Sequence, residues 1–171
     1  MALLTQIRER YSVRAYADRP VEDEKLKAVL EAARQAPSAR NLQDWRFVVV
    51  RDAEIRQRLV IAANHQPFVG QAPVVLACCG TNTDYTMRCG QKAYPIDLAI
   101  AISYMTLQAV EEGLGTCWIG SFYEDQVKAI LEIPAAVKVV ELLTLGYPKD
   151  KAGPRRRVAR EQILSDERWH F

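Results

Sequence analysis

The sequence predicts a small sheet with helices packed on it, an α+β or α/β fold, and three observations carry that prediction. Short β-branched runs alternate along the chain with segments of helical period. One stretch, Ile96 to Val110, is apolar on nearly every side and too evenly so for a surface helix. The composition, 171 residues with 49% hydrophobic and 26% charged, supplies one core and suits a single domain over 1–171 with a basic tail from about 149.

The elements follow in chain order. Leu26, Val29, Leu30, Ala33 and Ala36 recur at helical steps behind Glu22, Asp23 and Glu24, acids that suit the positive end of a helix dipole, so 23–36 reads as a helix stopped by Pro37. RFVVVR at 46–51 reads as a strand, 53–63 as a helix, and PVVLACC at 73–79 as a strand buried on both faces. Pro67, Gly70 and Pro73 mark a loop between the last two, and the polar, aperiodic 81–92 marks another. A central helix over 96–112 ends at Gly113 and Gly115. Thr116 to Ile119 is a short strand, Tyr123 to Leu131 a helix stopped by Pro134, and Val137 to Gly146 the last strand. No repeat or low-complexity linker divides the chain.

Charge and composition exclude several classes. With 23 Lys and Arg against 21 Asp and Glu, the net charge of +2 provides no general field for nucleic acid or an anionic membrane. Residues 149–160 nevertheless hold six basic groups and one acid, so an anion site must be local. The start lacks a signal-like apolar core, and the central apolar stretch falls short of a bilayer span, so the expectation is a cytoplasmic protein without a membrane segment. Four cysteines without CxxC spacing are expected to be reduced, and two distant histidines leave no metal centre. Gly113, Gly115 and Gly120 miss the dinucleotide-binding spacing. No Ser-His-Asp or Cys-His set suggests a nucleophile, so no catalytic side chain is assigned.

Three segments carry candidate chemistry. In an extended Arg10-Tyr11-Ser12-Val13-Arg14, the two guanidiniums and the hydroxyl face one side and suit an anionic ligand, although a solvated basic loop explains the same residues. Arg155-Arg156-Arg157, at the far end of the chain, converges with them only if the fold brings the ends together. The segments 36–45 (APSARNLQDW) and 115–120 (GTCWIG) offer amides, close backbone approach and a flat ring, or a helix stop and a core tryptophan.

Taken in order, RYSVRAY (10–16), APSARNLQDW (36–45), APVVLACC (72–79), GLGTCWIGSF (113–122), IP (133–134) and LGYP (145–148) resemble the nitroreductase family of FMN-dependent oxidoreductases over nearly the whole chain. The resemblance implies an α+β homodimer with a mainly antiparallel sheet and FMN at the subunit interface. By position it implies Arg10 and Ser12 at the phosphate and ribityl chain, and Arg14 at the pyrimidine edge, where a cation stabilises the reduced ring. It further implies Arg155 and Arg157 as a phosphate clamp and Pro37, Ser38 and Asn41 as a loop reaching the flavin from the partner. Trp118, Ile119 and Gly120 are implied along the ring near N5, and Gln66 near the pyrimidine edge.

The implied activity is ping-pong hydride transfer from NADH or NADPH through FMN to nitroaromatic, quinone or similar planar acceptors. A flavin-binding sensor or carrier is the alternative, as are a dehalogenase and a flavin-fragmenting enzyme on the same fold, for which the candidate lid 81–91 is short and carries one ring, Tyr85.

Overall fold

In the computed structural model, which describes residues 3–170, β1 (Trp45–Val50), β2 (Val74–Gly80), β3 (Gly115–Ile119) and β4 (Lys138–Gly146) form one sheet in the order β1-β2-β4-β3. Every neighbouring pair is antiparallel, so the fold is α+β, and α/β is excluded. The run predicted to be buried on both faces is β2, which lies between β1 and β4. Its side chains alternate as strand geometry requires, with Val75, Ala77 and Cys79 in one core and Val74, Leu76 and Cys78 in the other.

Two helical layers cover the sheet. On one face lie α3 (Ala53–Ala62), α4 (Pro67–Gln71) and α6 (Glu124–Leu131), which bury Leu59, Ala62, Phe68, Val69 and Val127. Asp52 starts α3 by accepting a hydrogen bond from the Ile55 N–H at 2.9 Å. On the other face lie α2 (Asp23–Arg34) and the long α5 (Ala93–Glu111), whose Leu98, Ala101, Ile102, Met105 and Ala109 meet Leu26, Val29 and Ala33 of α2 and the sheet. Each face buries a set of large side chains, at about 1.5–3 kcal/mol apiece.

Two expectations are corrected. The stretch read as a loop around Pro67 contains α4. Proline at the first helical position loses no needed hydrogen bond, and Gly70 lets the helix press on α3, where a Cβ would come within 2.6 Å of Gln57. The central helix begins at Ala93 rather than 96, because Pro95 sits in its first turn. At 19 residues α5 has the length and apolarity of a membrane span, but one side of it is the core of this fold. A short α1 (Thr5–Glu9) precedes the Arg10 segment, and the tail beyond Pro148 is irregular and exposed apart from one 3-10 turn.

Candidate functional site

The Arg10–Arg14 segment is extended and lies along β3, one of the sheet's two edge strands. Ser12 bridges Thr116 in parallel, and the Val13 N–H donates to the Thr116 carbonyl at 3.0 Å. Val13 is fully buried while Ser12 and Arg14 are exposed, which is the predicted alternation. The contact depends on Gly115, where a Cβ would stand 2.4 Å from Val13 Cγ2 and 2.8 Å from Pro148 Cγ.

Between this segment and α5 lies a cavity of about 380 Å³ lined by Arg10, Ser12, Ser103, Thr106, Leu107 and Trp118. Trp118 forms a fixed wall, because its indole N–H donates to Thr106 Oγ1 at 3.0 Å while that hydroxyl donates to the Ile102 carbonyl at 2.7 Å. The sequence reading missed Ser103, Thr106 and Leu107. Hydroxyl residues inside an apolar helix were the available signal.

The basic tail returns to the neighbourhood of Arg10, at one side of this cavity, without lining it. The Tyr11 hydroxyl holds the start of the tail at the Asp150 carbonyl, 2.6 Å away, and Arg155 Nη1 donates to the Ile7 carbonyl of α1 at 3.1 Å. Burial pulls the Arg10 guanidinium below its ordinary pKa, and the charges of Arg155 and Arg157 pull it further. Among the described residues, none of these three arginines forms an ion pair with a carboxylate. Converging cations without an acidic partner are the complement of an anion such as a phosphate monoester. A larger cavity of about 540 Å³ lies elsewhere, but its arginines are committed: Arg19 to Glu22, Arg51 to Asp23, and Arg56 to the Gly70 and Ala72 carbonyls.

The other expected residues separate into three groups. Pro37, Ser38 and Asn41 lie in a loop whose Ala39 N–H donates to the buried Asp97 at 3.0 Å. Asp97 precedes Thr106 by nine positions, about 14 Å along α5, and none of the three loop residues lines the cavity of their own chain. Arg40, Asn41 and Gln43 hold left-handed backbone there, strain of the kind that concentrates at functional loops. Ile119 is buried in the core, so only its backbone faces outward, and Gly120 beside it is exposed. The Gln66 amide donates to the carbonyls of Ala63 at 2.9 Å and Ser121 at 3.2 Å, which ties the end of α3 to the loop after β3 and leaves its oxygen as the group free for a ligand.

Two titratable groups adjoin this region. Burial raises the Cys117 thiol above its usual range, and Arg14, Ser12 and Arg10 only partly oppose it, so it stays a neutral packing group. Burial pushes the half-buried Glu141 carboxyl on β4 up to about 7.

A family model described as "Nitroreductase family" matches residues 7–65 and 59–147. The chain is 32% identical over 187 residues to an NADH dehydrogenase of Thermus thermophilus, covering 91% of each protein. It is 29% identical over 184 residues to an NAD(P)H-dependent FMN reductase of Bacillus subtilis, covering 98% of this chain and 74% of that protein. The crystal structure of a nitroreductase family protein from Clostridium difficile 630 superposes with a TM-score of 0.88 at 33% identity, over 99% of this chain and 100% of that one.

Proposed function

Because this chain belongs to the nitroreductase family, we propose that it is an NAD(P)H-dependent FMN oxidoreductase whose flavin lies across the Arg10–Trp118 cavity. The approach of Arg155 and Arg157 to Arg10, which lines that cavity, without an acidic partner for any of the three supports this reading. The three guanidiniums hold the phosphate, and Ser12 hydrogen-bonds the ribityl chain. Trp118, fixed by Thr106, supports the ring with the backbone of Ile119 and Gly120. Arg14, exposed beside Cys117, provides a cation at the pyrimidine edge that favours negative charge on the ring. Gln66 contributes its amide oxygen at the same edge.

Bound FMN supplies hydride transfer through N5, so the protein's part is binding, orientation and electrostatics. NADH or NADPH and the acceptor occupy the same open face in turn, which gives ping-pong kinetics with quinones and nitroaromatics. The working unit is a homodimer in which the loop bearing Pro37, Ser38 and Asn41 completes the site of the other copy. The outward face of α5 supports this, since Ile96 and Tyr104 are exposed and Ile96 lines a mostly apolar hollow with Pro95, Ala99, Ile100 and Ser103. The reading is tested by steady-state rates with menadione and nitrofurazone at several NADH and NADPH concentrations. Parallel double-reciprocal lines are expected, whereas intersecting lines or no turnover contradict it.

A further inference from the structure

Glu141 has no part in the chemistry outlined above, yet it lies at an irregular point of β4. Cys78 of β2 pairs with Glu141 but Cys79 pairs with Val139, so Val140 is an extra residue in β4. A bulge of this kind bends a strand and re-aims neighbouring side chains, and it recurs beside active sites. On the other side of β4, Trp118 pairs with Leu143 and Ile119 with Leu142, the last pair of that ladder.

Side chains alternate along a strand, so Glu141 projects from the same face as Leu143 and Trp118, one step nearer the open end of β3. Cys78, opposite it, belongs to the core on that face. At the open end stands Gly120, where an added Cβ would be 3.8 Å and 3.9 Å from the two carboxyl oxygens. The half-buried carboxyl thus lies beside exposed Gly120, one step beyond Trp118 on the same face.

The surroundings favour a bound proton. Burial raises the carboxyl's pKa to about 7, and a hydrogen bond with the Ile119 backbone pulls the other way. Cys78 on β2 and Cys117 on β3 feel its charge, and both are thiols whose own ionisation burial suppresses. Among the described residues no cation contributes to its electrostatics. A carboxyl that exchanges its proton near neutral pH is poised for the proton that a hydride reaction also requires.

We propose that Glu141 is the proton-holding residue of this site, taking up a proton as negative charge accumulates on a ring bound along Trp118–Gly120 and releasing it to the acceptor. This rests on the flavin reading given above. For a quinone, the acceptor gains the two electrons and one hydrogen as hydride and the second hydrogen as a proton. The Glu141 O–H bond breaks, an acceptor O–H bond forms, and the carboxylate regains its proton from water.

Two measurements on wild type, Glu141→Gln and Gly120→Ala test the proposal. In flavin-free protein, carbon-13 NMR of labelled glutamates should show one carboxyl titrating near pH 7. That resonance should vanish in Glu141→Gln and move upward in Gly120→Ala, whose methyl would meet the carboxyl at ordinary contact distance and take water from it. In FMN-loaded protein, the midpoint potential should fall more steeply with pH between about 7 and 8 in wild type than in Glu141→Gln. A midpoint in the ordinary carboxylate range, or equal slopes in a protein that binds and reduces FMN, overturns this proposal alone. Failure to bind FMN overturns it together with the flavin reading.

Discussion

Replacing Arg10 with alanine removes one of three guanidiniums at the proposed phosphate site and should weaken FMN binding through the phosphate alone. A hydrogen bond to a charged group contributes about 1.5–3 kcal/mol. At about 1.4 kcal/mol per factor of ten, loss of one such bond raises Kd roughly 10- to 150-fold. With FMN at 100 times the wild-type Kd, binding stabilises the wild-type fold by about 2.7 kcal/mol. The same concentration stabilises Arg10→Ala by only about 0.3–1.4 kcal/mol. In a chain of 171 residues 1 kcal/mol moves Tm by about 2–4 °C, so the FMN-induced rise should shrink from about 5–11 °C to about 1–6 °C. Without ligand the variant should not melt earlier, because Arg155 and Arg157 repel Arg10 in the free protein. The assay is thermal unfolding and fluorescence titration with FMN and with riboflavin. Riboflavin lacks the phosphate, so its affinity should be unchanged. Equal losses for both ligands, or no loss for FMN, would refute the phosphate assignment.

Other perturbations have directions that the structure fixes. Tyr16→Phe removes a buried hydroxyl that bonds Thr144 Oγ1 at 2.6 Å and the Val13 carbonyl at 3.1 Å, and should cost about 1–3 kcal/mol in urea unfolding. Gly115→Ala drives a methyl into Val13 and Pro148, and should cost about 1–3 kcal/mol while loosening the Arg10–Arg14 segment, which lowered FMN affinity would report. Between about pH 4.5 and 7 the folded protein binds more protons at Glu141 than the unfolded chain does. The contribution of Glu141 therefore falls as pH rises through that window, and is constant above it. In Glu141→Gln that decline is absent, so the urea midpoints of the two proteins should change relative to each other across this range and run parallel above it. Arg14→Ala should lower the flavin reduction potential with FMN retained, as spectroelectrochemistry can check.

Much of the fold was legible because local pattern and final environment agree. The run at 73–79 is apolar at every position because β2 is covered on both faces, and the helical steps of Leu26, Val29 and Ala33 persist in the buried stripe of α2. The fold was obscured where a residue type has two uses. Pro67 read as part of a loop, yet it sits in a first turn and permits the helix, and Pro95 likewise lies in the first turn of α5, one position before the span predicted for that helix.

In the site, the alternation of Arg10, Ser12 and Arg14 was readable from local sequence. The meeting of Arg10 with Arg155 and Arg157 was implied only by resemblance, since nothing local brings positions 10 and 155 together. Thr106 was hidden within an apolar helix. Glu141 could not be found at all, because its place in the site follows from the irregular pairing of β2 with β4 and from its approach to Gly120, neither of which is a local sequence pattern. Gln66 was assigned to a ligand edge, while half of its amide is engaged in holding the backbone after β3.

The central claim is that this cavity holds FMN for reduction by a nicotinamide. The most direct test is the visible spectrum of the FMN-loaded protein during anaerobic addition of NADH and then of NADPH. The account predicts a bound flavin whose yellow absorbance bleaches with at least one donor and returns on addition of a quinone. A protein that retains no flavin, or a bound flavin that stays yellow with both donors, would contradict it.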